Sequence, residues 1–98
     1  MINHVHGSSV DLKYPCVMYF TASWCGPCKR ISPDFENLAN SNGSIHFYKI
    51  DVDDNERLSL IYNITSMPTF VFCKNNDEVS VLKGADTTNL RHFDVFGR

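Results

Sequence analysis

Residues 20–33 read FTASWCGPCKRISP, and this stretch holds two cysteines separated only by glycine and proline. A Cys-x-x-Cys pair serves as half of a zinc site, as a structural pair, or as a redox couple that opens and closes in turnover. Each role requires a different setting in the fold. The residues on either side of the pair therefore decide which role it has.

Length and charge limit the classes of protein to which the chain can belong. Its 98 residues leave room for one hydrophobic core, so we expect residues 1–98 to form a single domain. The formal net charge of -2 argues against nucleic acid or an anionic membrane as the main partner. No apolar segment is long enough to span a bilayer or to act as a signal peptide, so we expect a cytoplasmic protein.

The number and spacing of cysteines also exclude some classes. A secreted disulfide scaffold of this size usually carries more than four cysteines, at wider spacings. A structural zinc site would need a second close pair of ligands. His4 and His6 are the only such pair, and they lie at the N-terminal end of the chain, so we do not expect a zinc site. Cys16 and Cys73 stand alone inside apolar runs, so we expect them to be buried free thiols.

Acidic residues do not indicate a metal site either. Asp51, Asp53 and Asp54 resemble a cluster of ligands, but no ligand ladder with a glycine turn follows them. Asp53 and Asp54 are explained more simply as caps of the next helix. We therefore expect no metal and no cofactor.

Four strands are predicted from short apolar or alternating runs bounded by turn residues. They cover residues 16–20, 45–51, 69–73 and 78–83. Residues 75–77 read Asn-Asn-Asp and predict a hairpin turn between the last two strands.

Three helices are predicted between and after these strands, from apolar residues at spacings of three and four. The first ends at the breaker of residues 40–43, and its inner face carries Ile31, Phe35, Leu38 and Ala39. The second, capped by Asp54 or Asn55, has an inner face formed by Leu58, Ile61 and Tyr62. The last, capped by Asp86 or Thr87, carries Leu90, Phe93 and either Val95 or Phe96. The order predicts an α/β fold: a mixed sheet with helices on both faces.

In this order the cysteine pair lies at the carboxyl end of a central strand, where open α/β sheets place their chemistry. Cys25 falls at the start of a helix, where free amide hydrogens and the helix dipole stabilise a thiolate. Cys28 lies one turn later and faces inward. These positions favour a cycle in which Cys25 attacks a disulfide and Cys28 resolves the mixed disulfide. The alternative is an inert buried pair.

The sequence resembles the thioredoxin family over about residues 15–98. Trp24-Cys25-Gly26-Pro27-Cys28-Lys29 matches the active-site motif of the family, and several more matches have the spacing of the family. These are Pro33 in the active-site helix, residues 49–53 (KIDVD), Met67-Pro68-Thr69, and Gly84 ahead of the last helix.

The resemblance implies the thioredoxin fold, with a central sheet of four to five strands, and it implies roles for individual residues. Cys25 would be the nucleophile and Cys28 the resolving thiol of a redox-active disulfide. Gly26, Pro27 and Lys49 would support this pair. Trp24, Met67 and Pro68 would bind the substrate, with Pro68 in the cis form.

Two features depart from the family pattern. Thioredoxins usually carry a buried aspartate six positions before the first cysteine, where this chain has Tyr19. A phenol is a poor base at neutral pH, so a water, or Lys49 acting electrostatically, would have to assist Cys28. Tyr19 is also explained simply as a core aromatic. The second departure is the N-terminal region, residues 1–14, which is too short for the usual strand and helix. Either the strand is very short or the helix is reduced to a turn.

The sequence thus predicts a protein-disulfide reductase of the thioredoxin type. It would act as a monomer on disulfide-containing proteins and receive electrons from a thioredoxin reductase or an equivalent donor, without nucleic acid or membrane partners. The alternative is a thioredoxin-fold binding module that holds a partner on its Trp24/Pro68 surface with little turnover.

Overall fold

This computed structural model describes residues 2–7 and 10–92 of the chain. The described part contains five strands and three helices. The helices are α1 (Gly26–Ser41), α2 (Glu56–Ile61) and α3 (Thr87–His92). The strands are β1 (Ile2–Val5), β2 (Cys16–Thr21), β3 (His46–Asp51), β4 (Thr69–Lys74) and β5 (Asp77–Lys83). From β2 onward the order of elements agrees with the prediction.

The strands form one mixed sheet in the order β1-β3-β2-β4-β5. β1 and β2 both run parallel to β3, and α1 makes the crossover between β2 and β3. β4 runs antiparallel to both β2 and β5. This arrangement confirms the predicted α/β class, and the sheet has five strands. All residues of the central strand β2 are buried, which explains why its sequence is a continuous apolar run.

Two hydrophobic clusters lie on the two faces of the sheet. On the first face, α1 and α3 pack against the sheet through Ile31, Phe35, Leu38, Ala39 and Leu90. On the opposite face, the packing residues around α2 are Leu58 and Tyr62. Helices therefore cover both faces of the sheet, as predicted.

α1 begins directly after Cys25, which occupies its N-cap position. Pro27 lies in the first turn of the helix, where a backbone N–H has no partner within the helix. The missing N–H of proline therefore removes no helical hydrogen bond. The helix ends at Ser41 inside the predicted breaker, and the Asn42 side-chain amide donates to the carbonyl of Leu38 at 2.9 Å. The bounds of α1 thus follow from residues that are visible in the sequence.

The turn between β4 and β5 confirms the predicted hairpin. Asn75 and Asn76 have φ angles of 55° and 66°. Asparagine adopts positive φ more readily than most residues with a side chain. Two consecutive residues of this kind give a tight turn whose twist matches that of the strands.

The segment ahead of β2 contains one short strand and, in its described part, no helix. β1 has four residues and pairs with β3, and the described residues between β1 and β2 contain no helix. Val10 and Leu12 instead pack against the cluster on the α2 face. The backbone N–H of Asn76 donates to the carbonyl of Leu12 at 2.8 Å and holds this segment. A short first strand is thus combined with a connection that has no helix in its described part.

Two predictions about α2 are wrong in detail. Ile61 is 63% exposed, since α2 turns Leu58 toward the sheet and leaves Ile61 in solvent. Asn55, one of the two predicted caps, occupies the N-cap position, but its side chain makes no capping hydrogen bond. The interpretation of Asp53 and Asp54 as caps of this helix is wrong, since neither occupies that position. The Asn55 amide instead donates to the carbonyls of Val5 and Asp51, both at 2.9 Å, and ties β1 to the end of β3.

The last helix agrees with the prediction as far as the structure describes it. The carboxylate of Asp86 accepts from the backbone N–H of Asn89 at 3.1 Å, and Leu90 is fully buried. Phe93, Val95 and Phe96 lie outside the described residues. Within residues 2–7 and 10–92, no helix has the length and apolar character needed to cross a membrane.

Candidate active site around Cys25 and Cys28

Cys25 lies between the carboxyl end of β2 and the start of α1, and Cys28 lies in the first turn of α1. A disulfide joins their sulfur atoms, and their Cα atoms are 5.3 Å apart. Their side chains are only 4% and 1% exposed. Gly26 and Pro27, which separate them, are exposed. The disulfide is therefore covered by protein on its inner side and bordered by an exposed turn on its outer side.

The backbone at the start of α1 presents N–H groups to Cys25. The N–H of Cys28 donates to the sulfur of Cys25 at 3.2 Å. The first N–H groups of a helix have no partner within the helix, and the dipole adds partial positive charge there. Both effects stabilise a thiolate more than a thiol. Cys25 thus has the surroundings of a nucleophilic cysteine.

Trp24 lies at the surface next to this turn. Its side chain is 64% exposed, and its indole N–H donates to the carboxylate of Asp53 at 3.0 Å. The hydrogen bond holds the ring in place while leaving its face in solvent. The sequence suggested a helix cap for Asp53 and gave no signal for this contact, because the two residues are 29 positions apart.

The loop before β4 lies beside the cysteines. The peptide bond between Met67 and Pro68 is cis, as the resemblance implies, and Pro68 is buried. Met67 packs against the cluster that contains Cys25 and Cys28. The N–H of Gly84 donates to the carbonyl of Pro68 at 2.9 Å, and Gly84 has a φ of 93° that favours glycine. This hydrogen bond, at the start of β4 and the end of β5, thus holds the loop in place.

Tyr19 lies beneath the cysteine turn and is fully buried. Its ring packs against Phe35 and Phe70, with centroid distances of 4.7 and 4.8 Å. Its hydroxyl donates to the carbonyl of Cys28 at 3.0 Å and lies 3.1 Å from the hydroxyl of Ser32. Tyr19 is thus a core aromatic, as one interpretation of the sequence held, but its hydroxyl also binds the backbone of the turn.

A cavity of about 410 Å³ lies next to Cys28, between α1 and the carboxyl ends of β1, β2 and β3. Its volume is many times the ~30 Å³ that a water molecule occupies in the liquid. Solvent can therefore reach the vicinity of Cys28 from this side. We call it the Cys28 cavity, and its lining includes His4, His6, Cys28, Ser32, Lys49 and Asp51.

The other two cysteines face each other inside the sheet. Cys16 of β2 and Cys73 of β4 are register partners, are fully buried and form no disulfide. Val10 and Leu12 pack against the cluster that contains both of these cysteines. A hydrogen bond with Cys73, together with burial, raises the pKa of the Cys16 thiol. Burial keeps both thiols away from reagents in solvent.

Among the described residues, no group of three or more His, Cys, Asp or Glu side chains is arranged to hold a metal ion. The carboxylate of Asp51 accepts from the backbone N–H of Asp53 at 2.9 Å, as in a polar turn. His46 is exposed and stacks on Tyr14, with ring centroids 5.6 Å apart.

Comparison with known sequences identifies similar proteins. The sequence model of the thioredoxin family matches residues 4–93. Thioredoxin-1 of Caenorhabditis elegans is 44% identical over 75 residues, which make up 76% of this chain and 65% of that protein. The TPR repeat-containing thioredoxin TDX of Arabidopsis thaliana is 42% identical over 74 residues, which are 20% of its length. The chain therefore spans less than two thirds of each of these curated relatives.

Solved structures are similar over most of this chain. The thioredoxin of Fasciola hepatica has a TM-score of 0.82 at 42% identity, covering 87% of this chain and 82% of that one. The thioredoxin of Malassezia sympodialis has a TM-score of 0.90 at 31% identity, covering 99% and 90%. Both sequence and structure therefore relate the chain to the same group of proteins.

Proposed function

Because the chain belongs to the thioredoxin family, we propose that it is a thiol–disulfide oxidoreductase that reduces disulfides in proteins. The observation that carries the proposal is the Cys25–Cys28 disulfide at the first turn of α1. A reversible dithiol needs one nucleophilic sulfur and a second sulfur within bonding distance. The helix start favours the thiolate of Cys25, and Cys28 lies one turn away.

The reaction consists of two exchange steps. The Cys25 thiolate attacks one sulfur of the substrate disulfide, a Cys25–substrate bond forms, and the other substrate sulfur leaves as a thiolate. Cys28 then loses its proton and attacks the sulfur of Cys25, which releases the second substrate sulfur. The substrate gains two electrons and two protons in total, and the Cys25–Cys28 pair becomes a disulfide. A thioredoxin reductase or an equivalent donor returns it to the dithiol.

The surface around the exposed turn is suited to a protein substrate. Trp24 offers an exposed indole, and the half-buried Met67, which precedes the cis Pro68, packs against the cluster that contains Cys25 and Cys28. We assign these three residues to substrate binding. A flat apolar surface beside a buried disulfide accommodates an extended peptide, because the peptide covers the site while its sulfur reaches Cys25.

Three residues support the cysteines without forming bonds to the substrate. Gly26 and Pro27 keep the turn short, and Pro27 stiffens it. Lys49 lines the Cys28 cavity, where its positive charge favours the thiolate of Cys28. The Gly-Pro pair also favours the reducing direction, since oxidising members of the superfamily usually carry a histidine there.

The proposal also covers the active unit, the partners and the location of the protein. A single chain supplies both cysteines, so the monomer is the active unit, and residues 1–98 act as one thioredoxin domain with a shortened N-terminal region. The mildly acidic net charge of -2 argues against nucleic acid or membrane partners. We place the protein in the cytoplasm.

Insulin reduction tests the proposal against the binding-module alternative. The wild type should reduce insulin with turnover in the presence of a dithiol donor, and Cys25→Ser should abolish it. Cys28→Ser should accumulate mixed disulfides through Cys25, because the nucleophile remains and the resolving thiol is absent. A folded wild type without turnover would support the binding module instead. Retained activity in Cys25→Ser, with Cys28 as the alkylated residue, would reverse the assigned roles.

A further inference from the structure

Resolution of the mixed disulfide requires a group that takes the proton of Cys28, and this inference rests on the function proposed above. Position 19 holds a tyrosine whose hydroxyl donates to the carbonyl of Cys28. The same carbonyl accepts from the Ser32 hydroxyl at 2.8 Å. The phenol is therefore engaged with the backbone of α1 and is a poor base at neutral pH. The acceptor has to be sought elsewhere around the sulfur.

The strand register places a histidine in line with Tyr19. Tyr19 of β2 is the partner of Lys49 in β3, and Lys49 is the partner of His4 in β1. Partners in register point to the same face of a sheet. Since Tyr19 belongs to the cluster under α1, Lys49 and His4 also point to the α1 side. His4 thus continues the row of side chains that begins at Tyr19 and ends at the edge of the sheet.

The Cys28 cavity connects this row with the sulfur. Cys28 and Ser32 line its α1 side, and His4 and Lys49 line its sheet side. The other charged or titratable groups around it are His6, Lys29, Asp51 and Asp54. A proton leaving Cys28 can therefore reach an acceptor on the cavity wall through solvent in the cavity.

The chemical properties of these side chains decide which of them can accept the proton of Cys28. Lysine is protonated at neutral pH and accepts nothing, and a carboxylate with an ordinary pKa near 4 is a weak base for a thiol. A general base works best when its pKa lies near the working pH, which is the property of histidine, with an ordinary pKa of about 6.5. His6 lies beyond the end of β1, whereas His4 lies within the strand and in the row of Lys49.

We propose that His4 accepts the proton of Cys28 through solvent in the Cys28 cavity. As the Cys28 sulfur bonds to the Cys25 sulfur, the bond between Cys25 and the substrate breaks, and the substrate leaves as a thiolate. The proton passes from Cys28 to a cavity water, whose own proton goes to the imidazole of His4. The side chain of His4 is exposed, so it then returns the proton to bulk solvent.

An aromatic disulfide, 5,5′-dithiobis(2-nitrobenzoate), separates the two exchange steps. Mixed with one equivalent of reduced protein, it releases one coloured thiolate when Cys25 attacks and a second when Cys28 resolves the adduct. Both phases are followed by stopped flow between about pH 6 and 9.5 for the wild type, His4→Gln and His6→Gln. His6→Gln is the matched control, because it removes a cavity histidine outside the row. Melting temperatures check that each variant is folded.

We expect the first phase to be the same in all three proteins. At pH 7 the second phase should be slower in His4→Gln by roughly tenfold or more, with His6→Gln equal to the wild type. The difference between the two profiles should vanish at alkaline pH, where Cys28 ionises unaided. An unchanged second phase in His4→Gln, or a loss confined to His6→Gln, would overturn the inference. A wild type without a first phase would instead contradict the proposed oxidoreductase.

Discussion

At the scale of single residues, Tyr19 joins the hydrophobic core to the backbone of the candidate active site. Its ring fills the space between Phe35 and Phe70, and its hydroxyl reaches the carbonyl of Cys28. A buried hydroxyl needs a partner, and this one also steadies the first turn of α1. Tyr19 therefore packs in the core and positions the first turn of α1. The proton of Cys28 leaves through the Cys28 cavity.

Two substitutions at position 19 separate these roles. Tyr19→Phe keeps the ring, so it should cost about 1 kcal/mol of unfolding free energy and leave the resolution rate unchanged. Tyr19→Asp should cost several kcal/mol, because it removes a buried aromatic and buries a carboxyl group. The pKa of a buried aspartate is raised, so the same change should speed resolution near neutral pH. Denaturant unfolding and single-turnover resolution of a Cys25 mixed disulfide measure the two effects.

The two variants control for each other. Slower resolution in Tyr19→Phe would show that the phenol takes part in proton transfer, contrary to this assignment. A folded Tyr19→Asp with an unchanged or slower rate would show that a carboxyl group at this position gives no advantage.

At the scale of elements, the pairing of β2 with β4 seals two cysteines inside the sheet. Cys16 and Cys73 are register partners without solvent exposure. For Cys16, the hydrogen bond with Cys73 and burial raise the pKa, so folding favours the neutral thiol.

The variant with Cys16→Ala and Cys73→Ala should keep full insulin-reducing turnover, because neither sulfur reaches the active-site turn. Loss of the two buried sulfurs should cost about 2 kcal/mol of unfolding free energy. In the reduced wild type, Cys16 and Cys73 should react with a thiol reagent only after unfolding. A folded double variant without turnover, or four rapidly reacting thiols in the native protein, would contradict this prediction.

At the scale of the whole molecule, α3 closes the core that lies beneath the active site. Leu90 is fully buried in the same cluster as Tyr19, Cys25 and Cys28. The neighbouring Arg91 forms an ion pair with Asp34 of α1 at 3.1 Å, but its side chain is 72% exposed. Burial of Leu90, and not the ion pair, should therefore hold α3 against α1.

Two adjacent substitutions test this. Leu90→Ala should lower the unfolding free energy by about 2–4 kcal/mol through lost burial and the cavity left behind. Arg91→Ala should change it by less than about 0.5 kcal/mol, since exposed ion pairs contribute little. Denaturant titration of both variants gives the comparison. Equal costs for the two changes would mean that the ion pair contributes as much as the core.

Local signals in the chain were sufficient for most of the elements. The apolar run of β2, the breaker after α1 and the two asparagines of the hairpin each act through neighbouring residues, so their structures could be predicted. The exposure of Ile61 could not be predicted, because the orientation of a short helix depends on the residues against which it packs. Asn55 was a candidate cap, but its hydrogen bond to the carbonyl of Val5 could not be predicted, because Val5 is 50 positions away and belongs to another strand.

The sequence by itself determined that Cys25 and Cys28 share one turn at the start of a helix, since their spacing and the flanking elements are local. Only the tertiary structure decided what surrounds them. Trp24 meets Asp53, and His4 joins the row of Lys49 and Tyr19, through strand pairing between segments that are distant in sequence. The physical reason is register: the pleat assigns each residue a face, but only the packed sheet determines which residues of other strands share it.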